Sequence, residues 1–176
     1  MKRGLVLSEV EGFTLIGILV TISLLALVTL IGLPNLRKFN IDQGVENSVS
    51  DFVQVIRKAQ SNAQSRIKCP DNRTSVNWSV KIQDSSHYQL NVTCLNSDNS
   101  SNLILVNTYI LPSSLSFDSS TGSSVTFNNI ENNVCLLPPS ATTCGTATNL
   151  TISLKNGSQT IRVKINQGGV INVVSG

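Results

Sequence analysis

The chain has 176 residues, with 13 Lys and Arg against 10 Asp and Glu, a net charge of +3, one histidine and four cysteines. No two cysteines stand in a C-x-x-C spacing, which excludes a zinc knuckle and a thioredoxin-type redox motif. There is also no Gly-rich phosphate motif, no nucleophile elbow and no cluster of metal ligands.

Met1 to Gly12 is a short charged leader. The next 24 residues, Phe13 to Leu36, carry no charge. At about 1.5 Å per residue a helix over this run spans roughly 36 Å, enough to cross a bilayer core of ~30 Å. A secretory signal peptide needs a small-residue cleavage site after its apolar run. This run ends in Leu33-Pro34-Asn35-Leu36-Arg37, which has none. A plain signal anchor fits the length, yet gives no reason for a glycine-phenylalanine boundary ahead of the apolar residues. Gly32 and Pro34 remove a side chain and a backbone donor within one turn, and so permit a helix kink. Lys2 and Arg3 before the run balance Arg37 and Lys38 after it, so the positive-inside rule does not orient it.

From residue 37 to 68 the helical pattern continues but becomes amphipathic. Val45, Val49, Phe52, Ile56, Ala59 and Ala63 fall on one stripe, while Glu46, Asp51, Gln54, Arg57, Lys58 and Ser61 lie mainly off it. The stripe is a docking face for a sheet. The spacing predicts a helix from Phe13 to about Arg66, closed by Arg66 and Lys68 at its negative end and by Cys69-Pro70.

Residues 69–176 are rich in Ser, Asn and Thr and read as short strands. Val76 to Ile82 and Tyr88 to Cys94 alternate around the turn Asp84-Ser85-Ser86. Leu103 to Leu111 is a more continuous apolar strand. Leu115 to Phe117 and Val125 to Phe127 are short candidates. Leu150 to Leu154 and Ile161 to Ile165 flank Asn156-Gly157, a hairpin signal, and Gly168-Gly169 leads into Val170 to Val174. The pattern predicts an antiparallel β domain with one buried face and one modest core. The fold class is α+β, with a long N-terminal helix packed on that domain.

Gly12-Phe13-Thr14-Leu15-Ile16, followed by an uninterrupted apolar helix, resembles the N-terminus of type IV pilins and of type II secretion pseudopilins. The resemblance implies a pilin-like fold, cleavage by a prepilin peptidase between Gly12 and Phe13, and methylation of the new N-terminus at Phe13. It implies residence in the inner membrane as a single-pass protein, then in a periplasmic or cell-surface filament. Other pilins are then the partners, reached through the N-terminal helix. Pro34 matches the helix-kinking proline of the family. The family's glutamate at the fifth mature position is replaced by Gly17, which points to a minor or tip-proximal subunit rather than the major one. The helix end Val55 to Ala63, Cys69, the Trp78 strand, Ile110 to Leu115 and the closing hairpin Leu150 to Val174 resemble GspH/FimT-type minor pilins.

An even cysteine count in an exported domain points to disulfides. Cys69, Cys94, Cys135 and Cys144 allow three pairings. Cys69–Cys94 would tie the helix end to the sheet, and Cys135–Cys144 would close a loop rich in Pro and Thr; this is the preferred arrangement. The lone histidine, His87, sits beside a turn and reads as a surface residue. No enzyme activity, cofactor or metal is expected. DNA uptake is the rival function within the family. Its contacts would be Lys155, Arg162 and Lys164, a small patch without aromatic neighbours in sequence. The function expected is that of a non-enzymatic structural subunit of a type IV pilus or secretion pseudopilus. A membrane-anchored β domain is the simpler alternative.

Overall fold

The computed structural model describes residues 11–129, 133–139, 141, 143–144, 147–157 and 159–175, with side chains at 15–27 and, of the rest, beyond 42. Residues 1–10 of the expected leader, the side chains of Phe13 and Pro34, and Glu131 lie outside the described residues. The architecture is α+β: one helix followed by antiparallel strands.

The helix, α1, runs over Glu11–Gln64 and has 54 residues. It continues through Gly32 and Pro34. It stops short of Arg66, and no basic residue lies in its last turn. The expected charge closure by Arg66 and Lys68 is therefore replaced by a backbone device. Ile67 N–H donates to Asn62 O at 2.9 Å and Arg66 N–H to Ala63 O at 3.1 Å, with Arg66 in the left-handed region at φ +50°. This is a Schellman closure with arginine where glycine is usual. A Cβ in that region costs about 1 kcal/mol, so Arg66→Gly is expected to raise stability by roughly 0.5–1 kcal/mol. Urea unfolding of the variant checks this, and a loss of stability would contradict the cap.

By compactness the chain divides into two units, Met1–Gly44 and Val45–Gly176. In the first, the side chains of Leu15 to Leu27 are all exposed. Among the described residues no helix is long and apolar enough to cross a membrane.

Among the described residues the second unit holds the rest of α1 and nine strands. These are β1 (Ser75–Ile82), β2 (His87–Leu95), β3 (Ser101–Ile110), β4 (Ser116–Asp118), β5 (Ser124–Asn128), β6 (Val134–Leu137), β7 (Asn149–Asn156), β8 (Gln159–Asn166) and β9 (Ile171–Ser175). They form two antiparallel sheets where one was expected: β3-β2-β1-β5-β6 and β4-β7-β8-β9. The chain leaves the first sheet after β3, places β4 in the second, and returns for β5. β6 was not anticipated; its four residues are too few to show alternation. The β7–β8 register pairs Asn156 with Gln159, so the turn starts at Gly157, one position beyond the expected Asn156-Gly157. Gly157 supplies the positive φ, +56°, that such loops need.

The helical stripe is the core. Val45, Val49, Phe52, Ile56, Ala59 and Ala63 are each no more than 3% exposed. Val53 and Val55 are buried too, because sheets cover the helix on more than one side. Phe52 is the hub. Its ring meets Tyr88 of the first sheet edge-on at 5.0 Å and Phe117 of the second at 5.3 Å. Near the helix end, Gln60 Nε2 donates to Gly169 O at 3.3 Å. Gly169 has φ +76°, a conformation that favours glycine, and a Cβ there would lie 2.6 Å from Gln60 Nε2 and displace that amide.

Candidate functional site

The N-terminal motif lies on the first turns of α1, with Gly12 and Phe13 in helical backbone. Between Leu15 and Leu27 the large apolar side chains stand 51–69% exposed. The polar side chains in this stretch turn inward on the helix. Thr21 Oγ1 donates to Ile18 O and Ser23 Oγ to Leu19 O, both at 2.8 Å. Each hydroxyl is thus satisfied without water, as an apolar surrounding demands. Gly17 sits among these residues, and a Cβ added there meets nothing within 4 Å.

Both disulfides form as preferred. Cys69 joins Cys94 with a Cα separation of 6.1 Å, and Cys135 joins Cys144 at 5.2 Å. The first bond ties the segment after α1 to β2 and is buried; in the second, Cys144 is exposed. Among the described residues, Cys69, Cys94 and Asp71 are the only potential metal donors that cluster. The bonded sulfurs have no thiolate to offer. Asp71 is engaged by Arg73, whose Nε lies 2.7 Å from Oδ2, and this bond holds the carboxyl below its ordinary value. Arg73 also donates to Asn96 Oδ1.

His87 belongs to the β1–β2 turn. Asp84 Oδ1 accepts from the backbone N–H groups of Ser86 and His87 at 2.8 Å each, and lies 2.9 Å from His87 Nδ1. Ser86 Oγ also lies against Nδ1, at 3.0 Å. A serine–histidine–aspartate relay needs serine and aspartate at opposite ring nitrogens. Here both address the same one, so the three residues hold a turn and cannot relay a proton. The Ser86 backbone bond first, then the His87 side chain, pull the Asp84 pKa down to about 2. The depressed value means that Asp84 stabilises the fold above the unfolded carboxyl pKa, near ~3.9, and that this support is lost as pH falls through about 2. Carboxyl NMR titration should place its midpoint at about 2. A midpoint near ~4 would mean that the turn does not hold the carboxylate in solution.

The three basic residues considered for DNA share one face of the second sheet. The register sets Lys155 opposite Thr160, Ser153 opposite Arg162 and Thr151 opposite Lys164. Lys155 is neutralised by Asp118 at 2.8 Å. Arg162 and Lys164 have Val174 and Asn172 as their partners on β9. Among the described residues this face offers no ring for a base to stack on.

A groove of about 560 Å³ lies between α1 and the end of β3, with Asp51, Gln54 and Lys58 on one wall and Tyr88, Tyr109 and Pro112 on the other. Tyr88 and Tyr109 are cross-strand partners, stacked at 5.1 Å and 13°. Burial first, then the nearby Asp51 charge, push the Tyr88 phenol up to about 12. Sequence reasoning placed Asp51 on the polar face of the helix and gave Tyr109 no role. Only the β2–β3 register brings them together.

No family model, no curated protein and no solved structure matches this chain.

Proposed function

We propose that the chain is a non-enzymatic structural subunit of a type IV pilus or type II secretion pseudopilus, resembling GspH/FimT-type minor pilins. The observation that carries this reading is the run Leu15 to Leu27. It is a helical surface apolar on every side and exposed all round, with its two hydroxyl-bearing residue types bonded back to the helix. Such a surface needs lipid or other helices around it. Its position directly after Gly12-Phe13-Thr14 suits a prepilin, first in the inner membrane and then in a filament core. The buried helical stripe beneath two sheets suits the pilin-like arrangement, and two disulfides suit an exported domain.

Gly17 favours a minor subunit. A carboxylate buried in lipid is costly until paired, and so drives assembly. Gly17 lacks it, although nothing in this chain obstructs a larger side chain there. DNA capture draws less support, since one of its three cations is already paired with Asp118.

Mass spectrometry of protein from its native membrane tests the reading. The mature chain should begin at Phe13 and carry an N-terminal methyl group. An intact Met1 in cells with active prepilin peptidase overturns the proposal and leaves a plain membrane anchor.

A further inference from the structure

The two sheets present four edges: β3 and β6 in the first, β4 and β9 in the second. β4, β6 and β9 have three, four and five residues. Short edges of this kind resist pairing with other chains. β3 is different. It has ten residues, Ser-Asn-Leu-Ile-Leu-Val-Asn-Thr-Tyr-Ile, with no charge and no proline. Leu103 is 65% exposed, Leu105 53% and Ile110 70%. The register sets these three opposite Thr93, Asn91 and His87; Leu103 and Leu105 stand on the sheet face away from α1, and Ile110, at the end of the strand, also borders the groove beside α1. On the other face, beneath the same edge, lies the groove with Asp51, Lys58 and Tyr109.

We propose that β3 is a strand-addition site for an extended peptide segment of a partner protein, which becomes a sixth strand of the first sheet and roofs the groove. Main-chain hydrogen bonds supply affinity in this mode, and alternate side chains supply specificity. The chemistry of the occupant follows from the two faces. Its outward residues are β-branched or aliphatic, and cover Leu103 and Leu105. Its inward residues are polar. One of them is Lys or Arg, set over Tyr109 and Asp51, where a ring face and a carboxylate favour a cation. A second, an acid, suits Lys58. Asp51 and Lys58 are seven residues apart on the helix, about 10 Å, which lies between the roughly 7 Å and 13 Å that separate same-face strand residues two and four positions apart. The inference stands on the β domain alone and does not depend on the pilin reading.

The backbone also supplies a clean disruption. Leu95 N–H donates to Thr74 O, toward β1. Leu95 pairs with Ser101, so by alternation the amides of Ser101, Leu103 and Leu105 point away from β2. A proline at Leu103 removes an outward donor and no ladder bond. Val106 is the extra residue of a bulge, between the pairs Leu90–Asn107 and Asn91–Leu105, and lies beyond this stretch.

The test uses the full chain in detergent micelles and a phage library of random dodecapeptides, followed by synthesis of the enriched peptides. Enriched peptides should alternate aliphatic and polar residues and carry a cation on the polar face. Binding should slow hydrogen exchange at the Leu103 and Leu105 amides. Leu103→Pro should weaken binding at least ~10-fold with the thermal unfolding midpoint unchanged. Asp51→Asn should weaken it about 5-fold. The proposal is overturned by a library that yields no alternating peptide, or by peptides that bind Leu103→Pro undiminished. It is equally overturned if the occupant is a second copy, seen as a dimer by sedimentation that Leu103→Pro dissolves, or a glycan, seen as array binding that Tyr109→Ala abolishes and Leu103→Pro does not.

Discussion

Phe52→Ala is expected to destabilise the β domain by about 3–5 kcal/mol, the usual cost of removing a fully buried phenylalanine. Phe52 is wholly buried and is the point at which the helix, the first sheet and the second sheet meet. Tyr88 and Phe117 also touch one another, edge-on at 6.0 Å, so the three rings form a closed cluster. Truncation leaves a hole between two sheets that are each stiffened by their own ladders, which limits collapse into it. Phe52→Leu keeps most of the volume and should cost less than half as much. Urea unfolding of both variants decides the matter. A loss below ~2 kcal/mol for Phe52→Ala would mean that the sheets close over the gap, and that the helix is not their common support.

The second large effect is the loss of the Cys69–Cys94 bond. It spans 25 residues, whereas Cys135–Cys144 spans 9. Loop-closure entropy gives about 3.5 kcal/mol for the first and about 2.6 kcal/mol for the second. The first bond also joins the segment after the helix to a central region of the fold, so its loss frees the helix end. Replacing both Cys69 and Cys94 by alanine should lower the unfolding temperature by roughly 10–15 °C. Replacing Cys135 and Cys144 should lower it by less. Calorimetry under matched conditions reads both, and a reversed order would show that the short loop, not the helix tether, carries the greater constraint. Reductant should reach the second bond first, since Cys144 is exposed while Cys69 and Cys94 are buried.

The parts of the fold that sequence reveals are those governed by local period. The stripe from Val45 to Ala63 repeats every three or four residues, and each of its members is buried. The alternation of Trp78, Val80 and Ile82, and of Tyr88, Leu90 and Val92, marks β1 and β2 for the same reason. The apolar run in β3 misleads, because a continuous run suggests an interior strand and this one is an edge. Edge or centre depends on which strands flank it, and no residue of β3 encodes that. The second sheet is hidden likewise. β4 has three residues, and its partner β7 lies some thirty residues on. The cysteine pairing was legible through chain order, as one bond at a helix end and one across a loop. The groove was not, since Asp51, Tyr88 and Tyr109 meet only after a helix, a hairpin and a register have formed.

The course of β4 also bears on how the domain folds. β7, β8 and β9 are successive in the chain and pair as a meander, so each needs only a short loop to close. β4 pairs with β7 across a long stretch that contains β5 and β6, both committed to the other sheet. Its pairing carries the entropy of a large loop and returns only three ladder pairs, to which Phe117 adds its ring contacts with Phe52 and Tyr88. β4 is therefore expected to pair late, after the β7–β8–β9 meander has formed. Because Phe117 completes the ring cluster with Phe52 and Tyr88, the late pairing of β4 is expected to make this cluster the last part of the core to close.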